Sequence, residues 1–370
     1  MTTKPTIAIT MGDPAGVGPE VIVGAWQSAA MHDACRLVVL GHPDVLRRAV
    51  GLGDNRRHGC RLNVEEISDI GAAAPSLEAL PCVAAVDASA ASVPPAAIDP
   101  RGGQAAYDAL VAATHLALDK QVDAIVTAPL NKAALWAAGH HYPGHTELLA
   151  ELCGVDDFAM MLYLAAGHGV QGPAGLGVIH VTLHTALADV PKQLTIENVL
   201  AKSRLANAAL ARIKQTAPRI AVCALNPHAG EQGLFGREEI EVIAPAVECG
   251  RAEGLDLTGP LPADTAMVRA RDGEFDAVVA MYHDQGHIAL KLLGMHQAVN
   301  VTLGLPIVRT SVAHGTAFDL AWQGRANVAG MVEAVRVAAL LAARRSESTV
   351  MSSDIAPSTA PARFASRAQW

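Results

Sequence analysis

A chain of 370 residues is long enough to bury one large core or two ordinary ones. Its 51% hydrophobic content comes mainly from Ala, Val and Leu with only 4% aromatics, which suits a parallel α/β protein rather than an all-β one. A formal charge of -8 without a basic cluster argues against a nucleic-acid partner, and no apolar run reaches membrane-spanning length.

Thr6 to Thr10 reads as a strand, followed by a glycine-rich turn and by Pro19-Glu20 opening a helix. Such a turn can cradle an anion on free amides, although it lacks a full G-x-G-x-x-G. Arg36 to Leu40 repeats the strand pattern, and residues 51 to 103 read as connecting strands and loops. Ala105 to Lys120 has helical spacing and leads into the strand Val122 to Val126, which ends in Thr127-Ala128-Pro129-Leu130-Asn131-Lys132. Thr146 reads as the N-cap of a helix Glu147 to Leu152, a helix start that favours an anion.

Phe158 to Leu164 and Leu176 to Leu183 are β-rich runs, the second reaching His184, and Thr195 to Thr216 is a long amphipathic helix. The strand beginning at Ala221 closes on Asn226-Pro227-His228. Asp264 lies in a turn-rich loop, where capping is its ordinary use. Ala277 to Ala280 opens into Met281-Tyr282-His283-Asp284-Gln285-Gly286-His287. From Ser346 to the end Ser, Ala, Pro and Thr dominate without period, so residues 346 to 370 read as a flexible tail. Cys35, Cys60, Cys82, Cys153, Cys223 and Cys249 lack a Cys-x-x-Cys spacing. They read as the reduced thiols of a cytoplasmic enzyme.

Three apolar runs thus close on histidines, at His184, His228 and His283. A lone histidine after a strand is usually a hydrogen-bonded core or loop residue. Three on one pattern suit a divalent metal such as zinc, with a position left open for a substrate oxygen. Lys132, His145, Lys291 and Arg309 can make a basic pocket for an anionic substrate in an otherwise acidic chain.

The segments Met11 to Glu20, Thr127 to Lys132, Gly144-His145-Thr146-Glu147, Asn226 to Glu231 and Tyr282 to Gly286 resemble the 4-hydroxythreonine-4-phosphate dehydrogenase family. His287 and Gly233-Leu234-Phe235-Gly236 look more like its branch acting on 4-phospho-D-threonate and 4-phospho-D-erythronate. His314-Gly315-Thr316-Ala317-Phe318-Asp319, with Asn327, is similar to the adenosine-binding loop of isocitrate and isopropylmalate dehydrogenases, with Phe318 where proline is usual.

The resemblance implies a two-domain α/β fold of the isocitrate/isopropylmalate dehydrogenase type, with the active site in an interdomain cleft. Residues 1–130 with 296–345 would form the cofactor-side domain, and 131–295 the metal, substrate and dimerisation domain. It implies a homodimer sharing metal ligands across the interface, with NAD and one divalent ion (Zn, Mg or Co) per site. On this sequence the implied metal ligands are His184, His228 and His283, and the substrate contacts are His145, Thr146, Lys291, Asn300 and Arg309. His314, Gly315, Thr316, Asp319 and Asn327 would bind the cofactor. Lys291, Asp264 and Asp284 are candidate acid/base groups. The expected reaction oxidises the 3-hydroxyl of a 4-phosphorylated four-carbon hydroxy acid and then decarboxylates it. A vitamin B6 enzyme acting on 4-phosphohydroxy-L-threonine, a zinc dihydrodiol dicarboxylate dehydrogenase and a metallohydrolase are the alternatives.

Overall fold

The structure is a computed structural model that describes residues 4–52 and 62–343. The stretch 346–370 and Cys60 lie outside them. Its strands are β1 Thr6–Thr10, β2 Arg36–Gly41, β3 Asn63–Ile67, β4 Ala79–Ala84, β5 Ala124–Thr127 and β6 Ala159–Leu164. β7 Leu176–His180, β8 Ile220–Cys223, β9 Leu257–Leu261, β10 Ala277–Ala280, β11 Val299–Leu303 and β12 Arg309–Val312 follow. All twelve join one sheet in the order β3-β4-β2-β1-β5-β12-β11-β6-β7-β10-β8-β9.

From β3 to β12 neighbouring strands are parallel, as they are again from β7 to β9. Between these blocks β12/β11, β11/β6 and β6/β7 pair antiparallel, so the sheet reverses direction at its centre. Strands covered on both faces have to be apolar throughout, which β5, β8 and β10 satisfy with every residue buried. A reversal of strand order is where an open α/β sheet leaves a crevice.

Several boundaries differ from the sequence reading. The helix read from Ala105 runs Pro100–Leu118, because the Asp99 side chain caps it by accepting the Arg101 N–H at 2.9 Å. β7 stops at His180, leaving His184 in the following turn. The helix read as Glu147 to Leu152 is His145–Cys153 with Gly144 as its N-cap. Thr146 is therefore no cap but part of the first turn, beside His145.

The glycine-rich turn after β1 is poorly suited to hold an anion, because four of its amides are already taken. Asp13 N–H donates to Pro129 O, Ala15 N–H to Asp13 Oδ1, Gly16 N–H to Asp13 O and Val17 N–H to Thr316 O. Gly12 is required there, since its φ is +72° and a Cβ would come within 2.4 Å of Pro129 O. The described cysteines are free, and burial pushes Cys35, Cys82 and Cys223 up to about 12, making them inert thiols.

Candidate active site

Strand register builds the floor of the crevice. Thr302 of β11 pairs with Arg309 of β12 and Met160 of β6, while Asn300 pairs with Ser311 and Leu162. Paired residues, and residues two apart on a strand, share a face of a sheet. Arg309, Asn300, Ser311, Met160 and Leu162 accordingly line one cavity of about 320 Å³. Thr127 at the end of β5, the first turn of helix His145–Cys153, His184, His283, His287, His314 and Gly315 wall it.

Arg309 sets the electrostatics of this floor. Its side chain is 2% exposed, and its guanidinium donates to two hydroxyls, Thr127 Oγ1 at 2.6 Å and Thr302 Oγ1 at 2.9 Å. Nε has no partner, and neither does the buried Asn300 Oδ1. Burial pushes the guanidinium down to about 9, so it stays charged at neutral pH, with Glu147 the carboxylate that favours its charge. A buried cation held by neutral hydroxyls is a site made for an anionic ligand. His145 stands beside it, held well below its ordinary value by burial and by the charges of Arg309 and Lys132. The first-turn amides of the His145–Cys153 helix add the positive end of a helix to the same wall.

The opposite wall is made of imidazoles. His283 opens the helix His283–Gly294, and its Nδ1 lies 2.6 Å from Asp284 Oδ1. A neutral ring donating Nδ1–H to that carboxylate leaves the Nε2 lone pair free, the arrangement of a metal-binding histidine. The His184 ring is 6.3 Å from the His283 ring between centroids. Burial and the Lys132 charge lower the His184 pKa, favouring the neutral, ligating form. This donor set fits a borderline divalent ion.

His228 is not with them. It lies outside the cavity, exposed on the loop after β8, where His228, Ala229, Gly230, Glu231 and Gln232 all have positive φ. The buried Glu239 carboxylate holds that loop by accepting the Leu225 and Asn226 N–H groups, each at 2.8 Å. Within one chain, no three His, Cys, Asp or Glu among the described residues converge in metal-holding geometry.

The other expected residues divide likewise. Lys291 sits two turns into the His283–Gly294 helix, outside the cavity lining, and its charge helps hold His287 low. Asp284 is exposed and serves His283, lining a second pocket with His184 and His283. Asp264 is exposed in the first turn of helix Ala263–Arg271, where its Oδ1 accepts the Thr265 N–H at 2.8 Å, so the structure places it as a capping group and not in the cavity. His314 and Gly315 reach the cavity, whereas Thr316 is buried behind them and Asp319 and Asn327 are exposed farther along the loop. Nothing lies within 4 Å of a Cβ built on Gly315, so a cofactor has room to approach the backbone there. A loop with exposed carboxylate and amide groups fits an adenosine ribose.

His180, which the sequence reading missed, backs the imidazole wall from behind His287 rather than lining the cavity. It is 1% exposed, and its Nε2 lies 3.1 Å from His287 Nδ1, whose ring stacks on His283 at 3.8 Å. Gly286 leaves room for this stack, since a Cβ there would meet His180 Nε2 at 2.5 Å. The signal was available: His180 falls two residues after Val178 on one strand face, inside the apolar run rather than beyond its end.

Burial and the neighbouring imidazoles push His180 down to about 3. Burial, His283 and Lys291 push His287 down to about 4. The unfolded chain takes up protons on these rings below about pH 6.5, the folded chain only near 3 to 4. Their contribution to stability is therefore complete above pH 6.5 and is lost as the pH falls from 6.5 towards 4. Thermal melts should show a smaller drop between pH 7 and 5 in His180→Leu than in the parent protein.

Comparison with known proteins places this site in a family. Residues 33–338 match the family described as "Pyridoxal phosphate biosynthetic protein PdxA". A 4-hydroxythreonine-4-phosphate dehydrogenase of Geobacter metallireducens is 46% identical over 340 residues, covering 92% of this chain and 96% of that protein. A D-threonate 4-phosphate dehydrogenase of Salmonella typhimurium is 45% identical over 345 residues, covering 92% and 100%. The crystal structure of a 4-hydroxythreonine-4-phosphate dehydrogenase from Klebsiella pneumoniae superposes with a TM-score of 0.80 at 42% identity, over 91% of this chain and 99% of that one. Sequence match, fold and cleft agree, and the chain belongs to the PdxA family of dehydrogenases.

Proposed function

We propose that the chain oxidises the 3-hydroxyl of a 4-phosphorylated four-carbon hydroxy acid and then decarboxylates it. 4-Phospho-D-threonate or 4-phospho-D-erythronate would give dihydroxyacetone phosphate and CO2. The observation that carries this reading is Arg309, a buried guanidinium bonded only to hydroxyls and facing a cavity walled by imidazoles. When bound, NAD supplies the hydride acceptor, and a divalent ion (Zn, Mg or Co) held by His184 and His283 supplies the Lewis acid.

The protein's own groups do the rest. Arg309, His145, Thr146 and the first-turn amides hold the phosphate end, with Lys132 adding positive charge at the rim. Binding remote from the reacting carbon is thereby converted into its alignment. Asn300 Oδ1, unpartnered on the floor, orients a substrate hydroxyl. Oxidation at C3 makes a β-keto acid whose C2–carboxylate bond then breaks. The electron pair left at C2 takes a proton, for which Lys291 is the candidate donor. Lys291 lies outside the lining of its own chain's cavity, so it would have to reach C2 as the substrate binds or from the second copy.

A second copy of the chain is part of this proposal. His228 stands on an exposed, left-handed loop beside Leu234 (73% exposed) and Phe235 (50%). Helix His283–Gly294 presents Ile288 and Leu292 outward, with Leu292 at 82% exposure. Outward apolar groups beside the displaced His228 and on the helix that carries His283 support a homodimer in which His228 completes the partner's site. The free cysteines support a cytoplasmic setting.

The second reading keeps the reaction and changes the substrate to 4-phosphohydroxy-L-threonine, for which the Geobacter relative is named. A panel of 4-phosphorylated acids bearing a 2-hydroxyl or a 2-ammonium, followed by NADH formation, separates the two. Preference for the 2-hydroxy acids supports the first reading, and preference for the amino acid replaces it. A dihydrodiol dehydrogenase would leave Arg309 without a phosphate to bind, and a metallohydrolase would form no NADH.

For the cofactor, NAD should be preferred over NADP by about a hundredfold, because Asp319 would repel a 2'-phosphate while accepting a ribose hydroxyl. Asp319→Lys should narrow that gap by improving use of NADP. Equal use of both cofactors by the unmodified enzyme would remove the role given to Asp319.

A further inference from the structure

The loop 314–327 has no helix or strand of its own, so something else has to hold its exposed groups in place. Glu20, in the first helical turn after the glycine-rich segment, is 8% exposed. Both of its oxygens reach into that loop: Oε2 accepts the Trp322 N–H at 2.5 Å and Oε1 the Gly324 N–H at 2.7 Å. Trp322 has φ +62°, a left-handed conformation that a bulky residue keeps only when its surroundings impose it. Its ring is fixed on two sides, with Nε1–H donating to Pro14 O at 2.8 Å and the Arg48 guanidinium 3.5 Å from the ring centroid. At the other end of the loop, Thr316 O accepts the Val17 N–H at 3.0 Å. Thr316 packs so closely on Gly16 that a Cβ there would lie 2.8 Å from Thr316 Cβ.

We propose that Glu20, with Trp322 clamped between Pro14 and Arg48, is a positioning residue for cofactor binding. The segment Pro14 to Glu20 ties both ends of the span 316–324 and so presents Gly315 and Asp319 to the adenosine half of NAD. This rests on the reading that the loop binds NAD. It gives the Met11 to Glu20 segment a function other than anion binding. None of Arg309, His145, His184 and His283 is bonded to Glu20, so loosening the clamp should leave the substrate and metal walls intact.

The test uses the full-length, metal-loaded protein and calorimetry with ADP-ribose. Glu20→Gln keeps the shape of the side chain but leaves one acceptor oxygen, and turns an NH2 group towards an N–H donor. Its affinity for ADP-ribose should fall about tenfold or more. KM for NAD should rise in step, with kcat at saturating NAD and the affinity for Co2+ unchanged. Trp322→Phe, which drops the bond to Pro14 and puts a smaller ring under Arg48 while keeping both bonds to Glu20, should shift ADP-ribose affinity in the same direction by less, and it decides the matter if Glu20→Gln fails to fold. Asp319→Ala tests the underlying reading. If it weakens ADP-ribose binding while Glu20→Gln and Trp322→Phe do not, the clamp is overturned and the loop assignment stands. If all three bind ADP-ribose like the parent, the loop assignment falls as well.

Discussion

His283→Ala is expected to lower the affinity for a divalent ion by a hundredfold or more and to abolish NADH formation, with the melting temperature of the metal-free protein little changed. Losing even the outer partners of a metal-binding histidine costs about ten- to a hundredfold in affinity, and losing the ring itself costs more. His283 lies on the first turn of a helix, 36% exposed at its side chain, so the core does not depend on it. Competition with a chelator measures the effect. Activity that persists in chelator-treated His283→Ala would remove the metal from the reaction.

The geometry also fixes which mixing experiment is informative. His184 and His283 are neighbours in one chain, so inactive variants at those two positions should not restore each other. His228 stands apart, and mixing His228→Ala with His283→Ala should recover part of the activity once subunits exchange. Full independence of the two defects, or a monomeric active enzyme, would rule out shared sites.

Arg309→Met is the second large effect, and its two halves point in opposite directions. Without the guanidinium, KM for a phosphorylated substrate should rise about a hundredfold or more, the scale for removing one partner of a buried charged pair. The free protein should not suffer. Arg309 has no carboxylate hydrogen-bonded to it, and an apolar side chain in place of an uncompensated buried ion is neutral or stabilising by about 1 kcal/mol or more. Its folded pKa of about 9 lies below the unfolded value of 12.5, so the unfolded chain holds the proton more tightly between those values. The cost to the fold is complete below pH 9 and is relieved only above it. Melting at pH 7.5 should therefore find Arg309→Met at or above the parent. A large loss of stability would mean that Arg309 is a structural residue.

The parts of this molecule legible in its sequence are those encoded locally. β1, β2, β5 and β10 are apolar runs bounded by turn residues, and each lies where its run predicts. β11 and β12 were not read as strands, although Val299-Asn300-Val301-Thr302-Leu303 alternates strictly and places Asn300 and Thr302 on the face that lines the cleft. Gly144, with an extended φ of 179° and no capping side chain, hid the start of the His145–Cys153 helix. The family resemblance named His145, Asn300 and Arg309 as site residues; the strand register explains why Asn300 and Arg309 share one face, and the start of the His145–Cys153 helix brings His145 to the same cavity. The displacement of His228 could not be read, because five successive left-handed residues depend on Glu239 and on glycine placement rather than on a local motif. Glu20 is the extreme case, since its partners lie 302 and 304 residues away.

The most direct measurement follows NADH at 340 nm and CO2 together after mixing the full-length protein with NAD, a divalent ion and 4-phospho-D-threonate. One NADH and one CO2 per substrate consumed, with phosphate retained on the three-carbon product, is the predicted result. Release of inorganic phosphate with no rise at 340 nm would contradict the account and make the cleft that of a hydrolase.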